Sequence, residues 1–115
     1  MTQHKVALIS HTRQLLGPSF HISYTIPALS AQYEPWLSTI MGAIDHLDAV
    51  NIMAYDYYWD GYDISQDVEM LEIMGVPRDK MVYGLMPGHS DAPNEYTSLE
   101  DAENAARSVE YPHFN

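Results

Sequence analysis

Apolar residues alternate between two spacings along this chain, and the alternation predicts helices and strands in turn. From Val6 to Leu16, Val6, Ile9 and Leu16 fall on one side with Leu8 and Leu15 adjacent, which is helical spacing, and Gly17-Pro18 supplies a stop. Ser19 to Ile26 is short and rich in Phe, Ile, Tyr and Thr, so a strand is predicted there. Pro27 ends it, because proline has no N–H for a ladder hydrogen bond. A second helix is predicted from about Pro35, with Trp36, Leu37, Ile40, Met41 and Ile44 forming one stripe. Asp48 to Ala54 reads as the next strand. Asp63 then opens a third helix with Gln66 at capping-box spacing, Val68, Leu71 and Met74 form its stripe with Met70 beside them, and Gly75-Val76-Pro77 closes it. Lys80 to Met86 is a third strand ended by Pro87-Gly88. After a polar stretch from His89 to Thr97, Ser98 to Asp101 is a helix start for a last stripe of Leu99, Ala102, Ala106 and Val109.

Helix and strand therefore alternate, and successive strands begin about 30 residues apart, the length of a repeated βαβ unit. A parallel sheet is the expected product. Right-handed crossovers bring the C-terminal ends of all three strands to one edge, so Pro27, Tyr55 with Asp56, and Pro87 with Gly88 are expected to share a rim, the usual place for ligands in α/β proteins. Three parallel strands alone leave two open edges, whereas parallel sheets are normally covered on both faces and closed or flanked. The expectation is part of a larger α/β fold. A complete eight-stranded α/β barrel needs about 250 residues, and this chain has 115.

Composition narrows the partners. Sixteen acidic against five basic residues give a formal net charge of −11, which repels phosphate backbones and anionic lipid surfaces, so neither nucleic acid nor membrane is expected. No apolar run approaches the roughly 18 residues of a membrane span, and a soluble fold is expected. Met1-Thr2-Gln3-His4-Lys5 lacks the basic-then-apolar pattern of a secretory signal. The absence of cysteine excludes disulfides and thiolate-ligated zinc and leaves the compartment open. His4, His11, His21, His46, His89 and His113 are scattered, without His-Glu-x-x-His or His-x-His spacing, so no metal and no cofactor is expected. There is no Gly-x-Ser-x-Gly elbow and no phosphate-cradling glycine loop. The acidic pairs Asp45/Asp48 and Asp60/Asp63 read as a helix-to-strand turn and a loop rather than as paired catalytic carboxylates.

The most informative stretch is Asn51 to Trp59, an apolar strand that stops at a polar, aromatic tip carrying a carboxylate. Its residues Met53-Ala54-Tyr55-Asp56 resemble the Met-x-Tyr-Asp signature at the end of the sixth barrel strand of family 18 glycoside hydrolases, the chitinase family. Phe20 to Pro27 resembles strand five of that barrel, Leu47 to Asp56 strand six, and Gly75 to Leu85 the loop and strand seven, so the resemblance covers nearly the whole chain. It implies a partial (β/α)8 TIM barrel in one domain, residues 1–115, with three parallel strands alternating with helices and lacking the first four strands and the last. The family's Asp-x-x-Asp-x-Asp-x-Glu run, which carries the general-acid glutamate, has no counterpart here.

The resemblance further implies chitin or N-acetylglucosamine oligosaccharides as ligands and substrate-assisted retaining hydrolysis as the family chemistry, in which the sugar's N-acetyl oxygen attacks its own anomeric carbon. Its members are often secreted. By the resemblance Tyr55 donates a hydrogen bond to the acetamido oxygen and Asp56 binds sugar hydroxyls, both in supporting catalytic roles. Met53 lines the acetamido pocket, and Tyr57, Tyr58 and Trp59 offer flat surfaces for sugar rings. Each also has a plainer reading: Tyr55 as a core tyrosine with its hydroxyl at solvent, Asp56 as a turn residue, Met53 as strand packing, and the aromatic cluster as cover for apolar surface. On the family reading the chain is a fragment of a chitinase-like glycoside hydrolase acting on β-1,4-linked N-acetylglucosamine polymers, which carries part of the sugar-binding site but not the general-acid glutamate and is expected to be inactive by itself. The alternatives are a non-catalytic chitooligosaccharide-binding or scaffold protein of the same family, or a half-barrel that associates with itself or with a complementary half.

Overall fold

The computed structural model describes residues 2–28, 36–54, 63–86, 88–89, 96–107 and 113–114. Helices and strands alternate as the pattern predicts: α1 (Thr2–Leu16), β1 (Ser23–Pro27), α2 (Trp36–Ala43), β2 (Ala49–Met53), α3 (Ile64–Ile73) and β3 (Met81–Gly84). A short antiparallel pair follows, β4 (Gly88–His89) with β5 (Tyr96–Thr97), then α4 (Leu99–Arg107) and β6 (His113–Phe114). Strands β1, β2, β3 and β6 lie in that order in one sheet, and every pairing is parallel. The fold is mixed α/β around a parallel sheet.

The register explains the core. Tyr24, Val50 and Met81 are aligned across three strands, as are Ile26, Ile52 and Tyr83. Successive strand side chains point to opposite faces, so these two rows share one face, and all of them except the half-buried Tyr24 are buried. The helices supply the matching layer: Ile9 from α1, Ile40 and Ala43 from α2, and Ile64, Val68 and Leu71 from α3 join the same apolar cluster. Gly42 brings α1 and α2 close, because a β-carbon there would lie 2.8 Å from a methyl of Val6.

The helix ends follow the sequence signals. Asp63 caps α3, its carboxylate accepting from the Ser65 N–H at 2.9 Å and the Ser65 hydroxyl at 2.7 Å. At the other end Gly75 takes the positive φ of 106° that glycine tolerates, and the Gly75 and Val76 N–H groups return to Glu72 and Leu71.

Several expectations need correction, and among them the strand expected over Asp48 to Ala54 spans Ala49–Met53. The first strand begins at Ser23, not Ser19. Arg13 draws the carbonyls of Gly17 and Phe20 toward α1 at 2.9 and 2.7 Å, which turns residues 18–20 away from the sheet and leaves Phe20 half exposed. Strand β3 starts one residue late, after a 3₁₀ turn over Arg78–Lys80, and ends at Gly84. Several residues assigned to packed stripes are exposed, Leu8, Leu15, Leu16, Met41, Met74 and Leu99 among them, because the helices turn only part of each stripe toward the sheet. The sheet also has a fourth strand where none is expected, since β6 is only two residues long and so short a pair has no periodicity to read. The polar stretch from His89 to Thr97 likewise holds the ends of the β4–β5 pair. Val109 and Pro87 lie outside the described residues.

Candidate binding site at the strand ends

The three longer strands finish together. Pro27, Met53 and Gly84 are register partners, and the pairing continues one step further through the Ala28 N–H to the Met53 carbonyl at 3.3 Å and the Ala54 N–H to the Gly84 carbonyl at 3.0 Å. Of the expected rim residues, Pro27 lies at this edge beside Met53, Gly88 instead begins β4 in the separate two-stranded sheet, and Tyr55, Asp56 and Pro87 lie outside the described residues. Met53, which ends the inner strand β2, and Ala54, which follows it, form the first half of the Met-x-Tyr-Asp motif and are half-buried. Tyr55, Asp56, Tyr57, Tyr58 and Trp59 follow directly in sequence and lie outside the described residues.

A groove of about 400 Å³ opens on the sheet face opposite the helices, lined by Thr25, Asn51, Met53, Val82, Gly84 and Leu85. This face is polar in its middle. Thr25 and Asn51 are register partners, and the Asn51 side-chain N–H donates to the Ser23 hydroxyl at 3.0 Å, with the Thr25 hydroxyl at 3.5 Å. The groove thus offers hydroxyl and amide groups beside the apolar side chains of Met53, Val82 and Leu85, the mixture that fixes the orientation of a small polar ligand. Ser23, Thr25 and Asn51 are not among the site residues expected from sequence. The available signal was the period of two that places Ser23, Thr25 and Asn51 on the face opposite Ile26 and Ile52, but it takes the inter-strand register to bring them together.

Two of the carboxylates singled out as turn and loop residues, Asp48 and Asp63, have structural partners. Asp48 accepts the Ile22 N–H at 2.8 Å and the Arg13 guanidinium at 2.7 Å on one oxygen, and these two bonds hold its pKa below the ordinary aspartate value. The Asp63 carboxyl is likewise lowered, first by the Ser65 hydroxyl and then by backbone N–H groups at the start of α3. Asp45 sits in the 3₁₀ turn over Ile44–His46. Asp60 lies outside the described residues. Among the described residues no helix is long and apolar enough to cross a membrane, and no three His, Asp or Glu side chains converge as a metal site would require.

Comparison with known proteins gives no match to a family model, to a curated protein or to a solved structure.

Proposed function

We propose that the chain forms one wall of a chitinase-like sugar cleft, part of a (β/α)8 barrel of the glycoside hydrolase family 18 type, which binds β-1,4-linked N-acetylglucosamine oligomers and does not by itself cleave them. One observation carries this reading: Met53, the first residue of the Met-x-Tyr-Asp motif, ends the inner parallel strand β2, where it shares a row with Pro27 and Gly84 and borders a groove with polar and apolar walls. A motif at the C-terminal end of a parallel strand is placed where α/β proteins bind ligands.

In this reading Met53 is a soft apolar wall for the acetamido methyl. Tyr55 donates its phenolic hydrogen to the acetamido oxygen, and Asp56 accepts from sugar hydroxyls. Tyr57, Tyr58 and Trp59 stack on the apolar faces of the rings. Retaining hydrolysis assisted by the substrate also needs an acid to protonate the leaving oxygen, and the sequence holds no Asp-x-x-Asp-x-Asp-x-Glu run to supply one. General acid assistance is worth about 10² to 10⁴ in rate, so the chain's own contribution is binding.

Calorimetric titration of the folded chain with N-acetylglucosamine oligomers tests this, with Tyr55→Phe alongside. The expected result is saturable binding that weakens about tenfold in the variant, the value of roughly one hydrogen bond. A folded chain that takes up no heat at millimolar oligomer refutes the reading.

A further inference from the structure

We propose that Asn51 selects the ligand of the groove: its carboxamide oxygen accepts a hydrogen bond from a sugar hydroxyl, on a floor that takes uncharged rings and turns away acidic ones. The inference rests on the sugar-binding reading and adds to it a residue and a ligand charge that the Met-x-Tyr-Asp motif does not supply.

The register sets the position of Asn51. It lies on the inner strand β2, with Thr25 beside it on β1 and Val82 on β3. Three neighbouring strands make this part of the face, and no outer edge of the sheet is needed to form it. Met53 is two residues further along the same strand, hence on the same face and about 7 Å nearer the strand ends. Its register partner on β3 is Gly84, which contributes no side chain and leaves space beside Met53 that a larger residue would take. Asn51, half-buried, is thus the floor of the groove that Met53 borders.

Hydrogen bonds orient the carboxamide. Its N–H groups donate toward β1, to the Ser23 hydroxyl at 3.0 Å and more weakly to the Thr25 hydroxyl at 3.5 Å. The amide oxygen diverges from the nitrogen at their common carbon, and among the described residues none donates to it. It is an acceptor left for a ligand. Ser23 and Thr25 are exposed, and because they accept from Asn51 they keep their own hydroxyl hydrogens to donate. An acceptor on β2 beside donors on β1 suits a group that donates and accepts at once, as a sugar hydroxyl does.

The charge of the ligand follows from the lining. None of the residues around the groove is ionisable. A charged ligand would lose hydration against Met53, Val82 and Leu85 and find no counter-ion. A carboxylate would also meet an amide oxygen that can only accept, on a chain of net charge −11. Neutral rings face neither penalty.

Calorimetry on the full chain, with a neutral N-acetylglucosamine oligomer and an anionic oligogalacturonate as probes, tests the inference together with Asn51→Leu and Asn51→Asp. The neutral oligomer is expected to bind at least about tenfold more tightly than the uronate. Asn51→Leu keeps volume without an acceptor and should weaken neutral binding about tenfold or more, whereas Asn51→Asp keeps an acceptor and should stay within about threefold. Heteronuclear NMR reads the same contact in the unaltered chain, since the Asn51 side-chain N–H signals should shift with the neutral oligomer and not with the uronate. Neutral binding that leaves those signals in place and is untouched by Asn51→Leu overturns this inference alone and leaves the sugar reading standing. Equal affinity for the uronate, or equal loss in both variants, overturns it as well. A folded chain that binds neither probe refutes the sugar reading and this inference with it.

Discussion

Tyr83→Phe is the substitution that most directly tests how α3 is fastened to the sheet. Tyr83 in β3 donates its hydroxyl to Asp67 in α3 at 2.9 Å, and both side chains are fully buried. The change deletes one oxygen and keeps the ring, so packing is nearly unaltered and the loss is that of the hydrogen bond. Removing the donor leaves a buried carboxyl oxygen without it, which costs about 1–3 kcal/mol, and in a water-free position the upper part of that range applies, because no solvent replaces the lost donor. We expect a loss of about 2–3 kcal/mol, a large fraction of the 5–15 kcal/mol typical of a domain, and a fall in Tm of about 10 °C. Urea unfolding followed by far-UV circular dichroism measures it at fixed protein concentration. Asp67→Asn, which keeps an acceptor in place, should cost less. The double variant should then show a coupling above about 1 kcal/mol in a double-mutant cycle. A Tyr83→Phe loss under about 0.5 kcal/mol would refute the reasoning and mean that α3 is held by apolar packing alone.

Asp63→Ala removes the cap of α3 and should cost about 1 kcal/mol, read by urea unfolding and by faster amide exchange in the first turn of that helix. Arg13→Met keeps the aliphatic stem and loses the bonds to His46, Gly17, Phe20 and Asp48, for an expected loss of about 2–3 kcal/mol. Asp48 makes stability depend on pH with a definite sign: its folded pKa lies below the ordinary value, so its contribution is complete above about pH 3.9 and disappears as the pH falls through the lowered folded value. Asp48→Asn should therefore flatten the acid limb of the stability curve, and an unchanged acid limb would show that other carboxylates govern it.

The features readable from sequence are those set by neighbours in the chain. Asp63 as a cap and Gly75-Val76-Pro77 as a helix stop rest on contacts within a few residues, and the structure has both, with the strand read over Asp48 to Ala54 found one residue shorter at each end. The features that escape involve partners far apart in sequence. Phe20 reads as a strand residue because its composition is right, and only Arg13, through bonds reaching as far as His46, shows why the chain turns before Ser23. The Ser23, Asn51 and Thr25 contacts span 26 to 28 residues and exist only once β1 and β2 are in register. Leu8, Leu15 and Leu99 have helical spacing, which identifies the helix without saying which way it faces. For the candidate site, the place where the motif leaves the sheet was legible, since Met53 ends β2 beside Pro27. Tyr55 to Trp59 lie outside the described residues.

The basic residues have a consequence for how this fold can change. Of the five in the chain, Arg13 and Lys80 both donate to carbonyls of the 3₁₀ turn over Ile44–His46, just before β2 begins. Guanidinium and ammonium groups thereby bind together the chain turns at the N-terminal end of the sheet, leaving that end costly to alter. The opposite end, where Pro27, Met53 and Gly84 finish, receives none of these ties. Changes at that end leave the bonds of Arg13 and Lys80 untouched, so the fastening of the scaffold and the ends of the strands are separate parts of the sheet.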